Sequence, residues 1–221
     1  MNNIVVVDKV SKYYACGDVH ALKDVSFKVE HGTITVITGK SGCGKTTLLN
    51  ILGGLDSPTS GKVMLNGTNI SEMHEREMIE FRARNIGFVF QFFNLIEEFT
   101  AQENILFPLS VRRIKLDSDY YKKICSILDI DGLLLKYPTQ LSGGERQRIA
   151  IARSLIMRPT VVLMDEPTGN LDEQNKEKVK SLIVDLCNNF GQSFVIVTHD
   201  LELARFGNNI ITMRDGIIVN L

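Results

Sequence analysis

The sequence predicts an α/β fold whose core is a mostly parallel β-sheet. Short apolar segments with strand character alternate with helical segments along most of the chain. Such alternation is typical of parallel sheets whose faces are covered by helices. From about residue 92 to residue 158 the pattern is helical, which predicts an α-helical subdomain inserted between two groups of strands.

The N-terminal part of the chain supplies four strands, one helix and one hairpin. The strands are predicted at 3–7 (NIVVV), 25–29 (VSFKV), 33–38 (TITVIT) and 86–91 (IGFVFQ). The segment TTLLNILGG at 46–54 has the apolar spacing of a helix and stops at its two glycines. GKVMLNGTNI at 61–70 predicts a hairpin, because Asn-Gly favours the tight turn between antiparallel strands.

Helices dominate the middle of the chain, and strands return after it. The helices are predicted at 101–111, 119–130, 142–157 and near 172–189. The later strands are predicted at 160–164 (TVVLM), 193–198 (SFVIVT) and 209–213 (NIITM). We expect a single domain over residues 1–221, with residues 1–91 and 159–221 as its core and residues 92–158 as the helical subdomain.

Composition limits the classes of function. A chain of 221 residues with 44% hydrophobic residues can bury a substantial core. Its net charge of −1 gives no overall attraction to nucleic acid, so no nucleic-acid partner is expected. The four cysteines are widely spaced and form no zinc motif, which fits a reducing compartment. Neither a signal peptide nor an apolar run long enough to span a bilayer is evident.

The strongest local motif is GKSGCGKT at 39–46, between a predicted strand and a predicted helix. This spacing is that of a phosphate-binding loop, in which glycines let backbone N–H groups surround phosphate oxygens. Lys45 would reach the β- and γ-phosphates, and the Thr46 hydroxyl would hold Mg²⁺. A glycine-rich turn with a surface lysine is the alternative, which the strand–loop–helix context disfavours.

An acidic pair follows another buried strand in VVLMDEP at 161–167. The C-terminal ends of parallel strands are where α/β sheets bind ligands. Asp165 is therefore a candidate Mg²⁺ ligand, and Glu166 a candidate general base for the attacking water. An acidic pair alone would more simply end the strand before Pro167, but the phosphate loop upstream favours the catalytic interpretation.

Two further strand ends carry polar side chains. His199 follows SFVIVT and would lie beside Asp165 and Glu166, within reach of a γ-phosphate. Gln91 ends the strand in FVFQ and would position water and Mg²⁺. Taken alone, each residue is better explained as structural, as a hydrogen-bonding histidine or an ordinary polar strand end.

The segment LSGGERQRIA at 141–150 looks like half of a phosphate site. Ser142 is a preferred helix cap, Gly143 and Gly144 allow close approach, and a helix N-terminus attracts anions. No metal-binding carboxylate and no phosphate-binding lysine lie beside it in the sequence. The residues alone do not show whose phosphate this site would bind.

Together these motifs resemble the ATP-binding cassette (ABC) transporter ATPase family. GKSGCGKT matches its Walker A loop, Gln91 its Q-loop, LSGGERQ its signature, VVLMDE its Walker B motif, GNLD its D-loop and His199 its switch histidine. The motifs occur in family order over residues 1–221, and the signature is far more specific than the phosphate loop. The resemblance implies a P-loop NTPase fold with an antiparallel β subdomain, and Mg²⁺-dependent ATP hydrolysis.

The resemblance also implies which residues bind ATP and Mg²⁺. Four would be catalytic: Glu166, His199, Gln91 and Lys45. Three would hold the metal: Thr46, Gln91 and Asp165. Tyr14 best matches the aromatic that stacks on adenine, and Tyr13 is the second candidate. The other nucleotide contacts are expected from Gly39, Lys40, Ser41, Gly42, Cys43, Gly44, Lys45, Thr46 and Thr47 of the loop, and from Ser142, Gly143, Gly144 and Glu145 of the signature.

In this family two ATPase domains pair head to tail and enclose two ATP molecules. The signature of one subunit would meet the γ-phosphate held by Lys45 of the other, which explains a phosphate site without its own lysine. Because each motif occurs once, the simplest assembly is a C₂ homodimer. Asp172 of the D-loop would lie at the same interface.

Three longer stretches resemble one branch of the family: LLNILGGLDSPTSGKV, FVFQFFNLIEEFTAQENI and MDEPTGNLD. That branch contains macrolide exporters, lipoprotein-releasing ATPases, antimicrobial-peptide-resistance transporters and the cell-division ABC ATPase. The likeness implies an integral-membrane permease as partner, a position at the cytoplasmic face of the membrane, and the energising of an export or mechanotransmission complex. Phe92, Phe93, Leu95 and Phe99 would line a groove for the permease, although such a cluster is equally consistent with a core.

Other functions remain open at this point. A regulatory ABC ATPase would gate a cell-wall hydrolase or a sensor through a membrane partner, without transport. A soluble ATPase acting on DNA or ribosomes is disfavoured, because the chain lacks a second cassette, a coiled-coil insert and a zinc motif. Cys43, at the start of a predicted helix, is either an oxidisable thiol or simply a small loop residue.

Overall fold

The computed structural model describes residues 3–220, so the ends of the expected domain, at residues 1 and 221, lie outside it. Its strands are β1 (Asn3–Tyr14), β2 (Val19–Glu30), β3 (Ile34–Gly39), β4 (Ser60–Leu65), β5 (Thr68–Asn69), β6 (Ile86–Val89), β7 (Val161–Asp165), β8 (Ser193–Thr198), β9 (Asn209–Arg214) and β10 (Ile217–Asn220). Its α-helices are α1 (Lys45–Leu52), α2 (Glu75–Asn85), α3 (Ala101–Arg112), α4 (Ser118–Ile127), α5 (Gly143–Leu155), α6 (Glu173–Phe190) and α7 (Leu201–Ala204).

Six strands form the central sheet, in the order β10-β9-β3-β8-β7-β6. The strands from β9 to β6 run parallel to their neighbours, and β10 pairs antiparallel with β9 at the edge. The predicted mostly parallel α/β core is therefore confirmed. Because all parallel strands end at one edge, the segments that follow β3, β6, β7 and β8 meet there.

The four inner strands of the central sheet, β3, β8, β7 and β6, are buried on both faces, so their sequences are mostly apolar, whereas β9 and β10 are partly exposed. Along β7, Val161 and Leu163 pack into a core with α1 and the antiparallel sheet. Val162 and Met164 alternate with them and pack into a second core with the helices α3–α6. This division explains why the period-2 pattern typical of a half-exposed strand is absent from VVLM.

A second sheet of four antiparallel strands, β2-β1-β4-β5, packs on the α1 side of the central sheet. It contains the predicted hairpin, in which Asn66 and Gly67 both adopt the left-handed backbone that a two-residue turn requires. The antiparallel β subdomain is thus confirmed. Strands β1 and β2 extend well beyond the predicted 3–7 and 25–29, through polar, partly exposed residues with irregular pairing.

The helices α3, α4 and α5 follow one another between β6 and β7, as the helical pattern predicts. Helix α2 was not predicted, because it buries a single apolar side chain, that of Met78, and so has little periodicity to detect. Its N-terminus is instead stabilised by a Glu77 carboxylate that accepts the His74 N–H. Within residues 3–220, every helix is too short or too polar to cross a membrane.

Candidate active site

A cavity of about 860 Å³ opens where the parallel strands end. It is lined by most of the residues predicted for the site: Tyr14, Ser41, Gly42, Gly44, Lys45, Thr46, Thr47, Gln91, Asp165, Glu166 and His199. These come from segments far apart in the sequence, and the sheet order brings them together. The predicted residues Gly39, Lys40, Cys43, Ser142, Gly143, Gly144 and Glu145 are not among its lining residues.

The loop between β3 and α1 depends on glycine at two crowded positions. A Cβ on Gly39 would lie 2.3 Å from the Met213 carbonyl oxygen, and one on Gly44 would lie 2.4 Å from the Ala21 carbonyl oxygen. Gly44 also has a φ of 102° and caps the N-terminus of α1. The loop therefore folds tightly only with glycine at both positions, and a tight loop that leads into a helix N-terminus is suited to bind an anion.

Lys45 is buried, and its ammonium is held at the loop. Its Nζ donates to the Gly39 carbonyl at 2.7 Å and to the Lys40 carbonyl at 3.1 Å. Both acceptors belong to the loop itself, so the positive charge is fixed beside the backbone that would surround a phosphate. Lys40 contributes that carbonyl, while its own side chain is exposed.

Cys43 belongs to the same loop, is 5% exposed, and packs into the core that lies beneath it. Its carbonyl accepts the Gly216 N–H at 3.2 Å. A Cβ on Gly39 would lie 2.7 Å from the Cys43 Sγ, so the thiol packs directly against the backbone of Gly39. This packing favours the interpretation of Cys43 as a small structural residue over that of an accessible redox thiol.

Glu166 is held in one orientation by the residues at the C-terminal end of β8 and directly after it. Its Oε2 accepts the Thr198 hydroxyl at 2.9 Å, and its Oε1 accepts the His199 N–H at 3.0 Å. His199 Nδ1 lies 2.8 Å from the same Oε1. Glu166 has a left-handed φ of 46°, and its N–H donates to the Val197 carbonyl at 2.9 Å. A strained backbone held by several hydrogen bonds is common at functional sites.

Asp165 ends β7 beside the loop lysine and threonine. Burial, and then the neighbouring Glu166 charge, raise the pKa of Asp165, while a hydrogen bond with Thr46 and the Lys45 charge act in the opposite direction. The contact places the Thr46 hydroxyl and the Asp165 carboxylate side by side. Two hard oxygen donors in such a position fit Mg²⁺, which prefers oxygen ligands and commonly takes only one or two from the protein.

Gln91 belongs to a segment that is held from two sides. Its carbonyl accepts the Asn170 side-chain amide at 2.8 Å, which ties it to the segment after β7. Arg153 of α5 donates to the Phe93 carbonyl at 2.8 Å and to the Asn94 carbonyl at 2.6 Å. Phe93 and Asn94 both have left-handed backbones. The segment after Gln91 is thus joined directly to the helix that begins with the signature.

The signature residues lie at the N-terminus of α5, away from the cavity. Ser142 Oγ accepts the Glu145 N–H at 3.3 Å, and Glu145 Oε2 accepts the Ser142 N–H at 2.7 Å. The hydrogen bonds from Ser142 lower the pKa of Glu145 despite its burial. A Cβ on Gly144 would lie 2.5 Å from Asn175 Oδ1, so glycine is required for packing on α6. The carboxylate of Glu145 therefore caps its own helix.

Tyr14 and Tyr13 differ in position, although both are over one-third exposed. Tyr14 lines the cavity, and its hydroxyl donates to Asp56 at 2.6 Å. Tyr13 is absent from the lining, and it packs on His20 with a centroid separation of 4.8 Å. The structure thus favours Tyr14 over Tyr13 as the aromatic that could stack on a base.

Sequence reasoning missed six lining residues: Val19, His20, Ala21 and Lys23 of β2, and Asp215 and Gly216 of the β9–β10 turn. The Lys23 N–H donates to the Gly216 carbonyl at 2.8 Å, which joins the two segments. The Asp-Gly pair does predict a turn. No signal in the sequence indicates that this turn packs against the loop at 39–46.

A family model described as ABC transporter matches residues 22–169, about two-thirds of the chain. The chain belongs to the ABC transporter family. This ABC ATPase is 47% identical over 206 residues to the "Lipoprotein-releasing system ATP-binding protein LolD" of Bacteroides fragilis, covering 92% of this chain and 95% of that protein. It is 43% identical to the "ABC transporter ATP-binding protein YtrE" of Bacillus subtilis, covering 91% and 88%.

Solved structures support the same assignment. The dimeric post-hydrolysis structure of the ATP-binding cassette MJ0796, bound to ADP and phosphate, superimposes with a TM-score of 0.86 at 38% identity. The alignment covers 98% of this chain and 97% of that chain. The predicted family, the P-loop fold and the enzymatic activity are therefore confirmed. This ABC ATPase binds ATP and hydrolyses it to ADP and phosphate, as the ATP-binding subunit of a transporter.

Proposed function

We propose that this ABC ATPase energises a membrane export complex of the lipoprotein-releasing kind. In this proposal two copies pair head to tail around ATP and Mg²⁺ and act on an integral-membrane permease at the cytoplasmic face. The proposed cargo is a lipid-modified protein. Several relatives that align with almost the whole chain, at 44–47% identity, bear the name of such a system, which supports this choice within the branch.

One observation supports the proposed head-to-tail dimer. Lys45, Asp165 and Glu166 line the cavity, whereas Ser142 and Gly144 of the same chain do not. The N-terminus of α5, with Gly143 and Gly144, is suited to bind phosphate but lies outside the cavity of its own chain. A second copy related by two-fold symmetry would supply its signature to this cavity and receive the same contact in return. Dimeric cassettes among the solved relatives support this arrangement.

The residues that line the cavity would have different roles in ATP hydrolysis. Lys45 would stabilise the charge of the β- and γ-phosphates, and the loop N–H groups would bind the same oxygens. Glu166 would accept a proton from the attacking water, and Thr198 and His199 would keep its carboxylate oriented. Gln91 would position that water. Mg²⁺ bound by Thr46 and Asp165 would neutralise phosphate charge.

The helical segment 92–158 would transmit the movement caused by ATP binding and hydrolysis to the permease. Phe92 is 73% exposed directly after Gln91, which suits contact with a permease. Phe93 and Leu95 pack instead against the helical core, so their proposed permease contact is less direct than that of Phe92. ATP-driven pairing would then move the permease, and hydrolysis would reverse the pairing.

The dimer is tested first with the purified Glu166→Gln variant, which should retain ATP. We expect light scattering to show a dimer with ATP and Mg²⁺ and a monomer with ADP. Adding Ser142→Ala to the variant should weaken the dimer, because each subunit would lose the proposed donor from Ser142 to the ATP bound by its partner. A monomer at saturating ATP would refute head-to-tail pairing.

The membrane role is tested with the same tagged variant in detergent-solubilised membranes. We expect ATP-dependent capture of a polytopic permease. Wild-type protein and that permease, reconstituted in vesicles, should then release a lipid-anchored protein only with ATP. ATP-dependent activation of a cell-wall hydrolase without release would instead establish the regulatory alternative. Capture of only ribosomal or DNA-bound proteins would reject the membrane role.

A further inference from the structure

Tyr14 is held by two charged residues that do not line the cavity. Its hydroxyl donates to Asp56 Oδ2 at 2.6 Å, and Lys12 Nζ donates to Asp56 Oδ1 at 2.6 Å. The same ammonium lies 4.8 Å from the centroid of the Tyr14 ring. Each of these three side chains therefore contacts the other two.

The Lys12–Asp56 pair is itself held by further hydrogen bonds. The Asp56 carboxylate accepts the Ser57 N–H at 2.7 Å, and Lys12 Nζ donates to the Ser57 carbonyl at 2.7 Å. The side chains of Lys12 and Asp56 are only 13% and 28% exposed. Burial opposes ionisation of Asp56, but hydrogen bonds from Lys12 and Tyr14 outweigh it and lower its pKa. Asp56 is thus a charged carboxylate at neutral pH.

The arrangement restricts both the position of the ring and the face it can offer. Without a partner for its hydroxyl, an exposed tyrosine would sample several rotamers, and ordering it would reduce binding affinity. The Lys12 ammonium is attracted to one face of the ring by the ring quadrupole. A purine can then stack only on the opposite face. Thr47 also contacts Tyr14, which links the ring to the start of α1 beside the phosphate loop.

We propose that Lys12 and Asp56 are positioning residues that orient the Tyr14 ring for stacking on the nucleobase. The inference rests on Tyr14 as the base-stacking residue of the proposed nucleotide site. Asp56 lies in the loop between α1 and β4, outside the motifs that predict the site, and it acts on the nucleotide through Tyr14. Its contribution is therefore to the part of the affinity that depends on the base.

Two ligands separate base stacking from phosphate binding: ATP and inorganic triphosphate, each with Mg²⁺. We expect Asp56→Asn to weaken ATP binding about threefold, because one of the two oxygens that accept from Lys12 and Tyr14 becomes an NH₂ group, which cannot accept. Lys12→Met should have a similar effect, because it removes the ammonium that lies over the Tyr14 ring and donates to Asp56. Both variants should bind triphosphate as the wild type does. Asp8→Asn, which removes an exposed carboxylate from the same sheet, is the matched control.

Tyr14 variants distinguish the possible failures. We expect Tyr14→Ala to weaken ATP binding about tenfold, since stacking on an aromatic contributes substantially to base affinity. Tyr14→Phe removes the hydroxyl that Asp56 binds. In that background, Asp56→Asn should therefore weaken ATP binding less than it does in the wild type.

If Tyr14→Ala leaves ATP binding unchanged, the stacking role proposed for Tyr14 is wrong. If Tyr14→Ala weakens it but Asp56→Asn and Lys12→Met do not, the positioning role alone is wrong. Equal losses for ATP and triphosphate would also overturn that role, because they would reflect general damage to the loop.

Discussion

His199 binds Glu166 twice, through its backbone N–H at 3.0 Å and through ring Nδ1 at 2.8 Å, and both contacts reach the same oxygen, Oε1. Glu166 is 15% exposed, whereas His199 is 68% exposed. The histidine therefore contacts the carboxylate from the solvent side of the cavity. Such a position lets one residue both orient the proposed base and reach a bound phosphate.

Replacing Glu166 with Gln should separate binding from hydrolysis. The amide keeps the shape of the carboxylate but cannot accept a proton, so we expect ATP binding to persist and kcat to fall about 10²–10⁴-fold. Phosphate release under saturating ATP measures the effect. A fully active variant would show that another group activates the water.

His199→Ala tests the contact from ring Nδ1. We expect a fall in kcat of about 10²-fold, with little change in ATP affinity, because the proposed base loses its orientation. Thr198→Val is the matched variant, since it removes the contact to Oε2 and leaves the histidine in place. If His199→Ala retains full activity, the contact seen here is structural only.

Lys45→Ala should remove most nucleotide affinity. The substitution deletes the charge that is held 2.7 Å from the Gly39 carbonyl, and we expect ATP binding to weaken at least about tenfold. Nucleotide titration measures the loss, and Lys62→Ala, which removes an exposed lysine of β4, serves as the control. Unchanged affinity would overturn the assignment of the phosphate loop.

Ser142 and Glu145 should respond differently to substitution. Ser142→Ala removes the cap of α5, at a cost of about 1 kcal/mol of folding free energy, and also removes the proposed donor to the partner's ATP. Glu145→Gln keeps the reciprocal cap, because glutamine also accepts the Ser142 N–H. We therefore expect ATP-dependent dimerisation to be weakened by the first change and retained in the second. Loss of the dimer in Glu145→Gln would give this carboxylate a direct role at the interface.

Asp165 should make the nucleotide-free protein less stable as pH rises. Its pKa is raised, chiefly by burial, so the native state binds this proton more tightly than the unfolded state does. The resulting stability is present below the unfolded pKa and is lost as pH rises through the folded pKa. At neutral pH, Asp165→Asn should then raise the melting temperature while abolishing Mg²⁺-dependent hydrolysis. A lower melting temperature for Asp165→Asn than for the wild type would contradict the predicted direction of the change in stability.

Much of this fold and site is predictable from sequence, because the motifs end strands that lie side by side. The apolar runs before Gly39, Asp165 and His199 predict parallel strands, and parallel strands place those residues at one edge. Helix α2 escapes prediction because its stability comes from charged and polar contacts. The Asp56 contact with Tyr14 also escapes, since it joins residues 42 positions apart that share no pattern.

The Arg153 bridge to Phe93 and Asn94 has a mechanical consequence. A displacement of the Gln91 segment must either break both hydrogen bonds to a partly buried guanidinium or carry α5 with it. Separating that charge from its acceptors costs about 1.5–3 kcal/mol for each bond. Helix α5 would therefore follow the segment, and Ser142 at its N-terminus would turn with it. In the proposed dimer, a change at the γ-phosphate of one cavity would thereby alter the surface that this subunit presents to its neighbour.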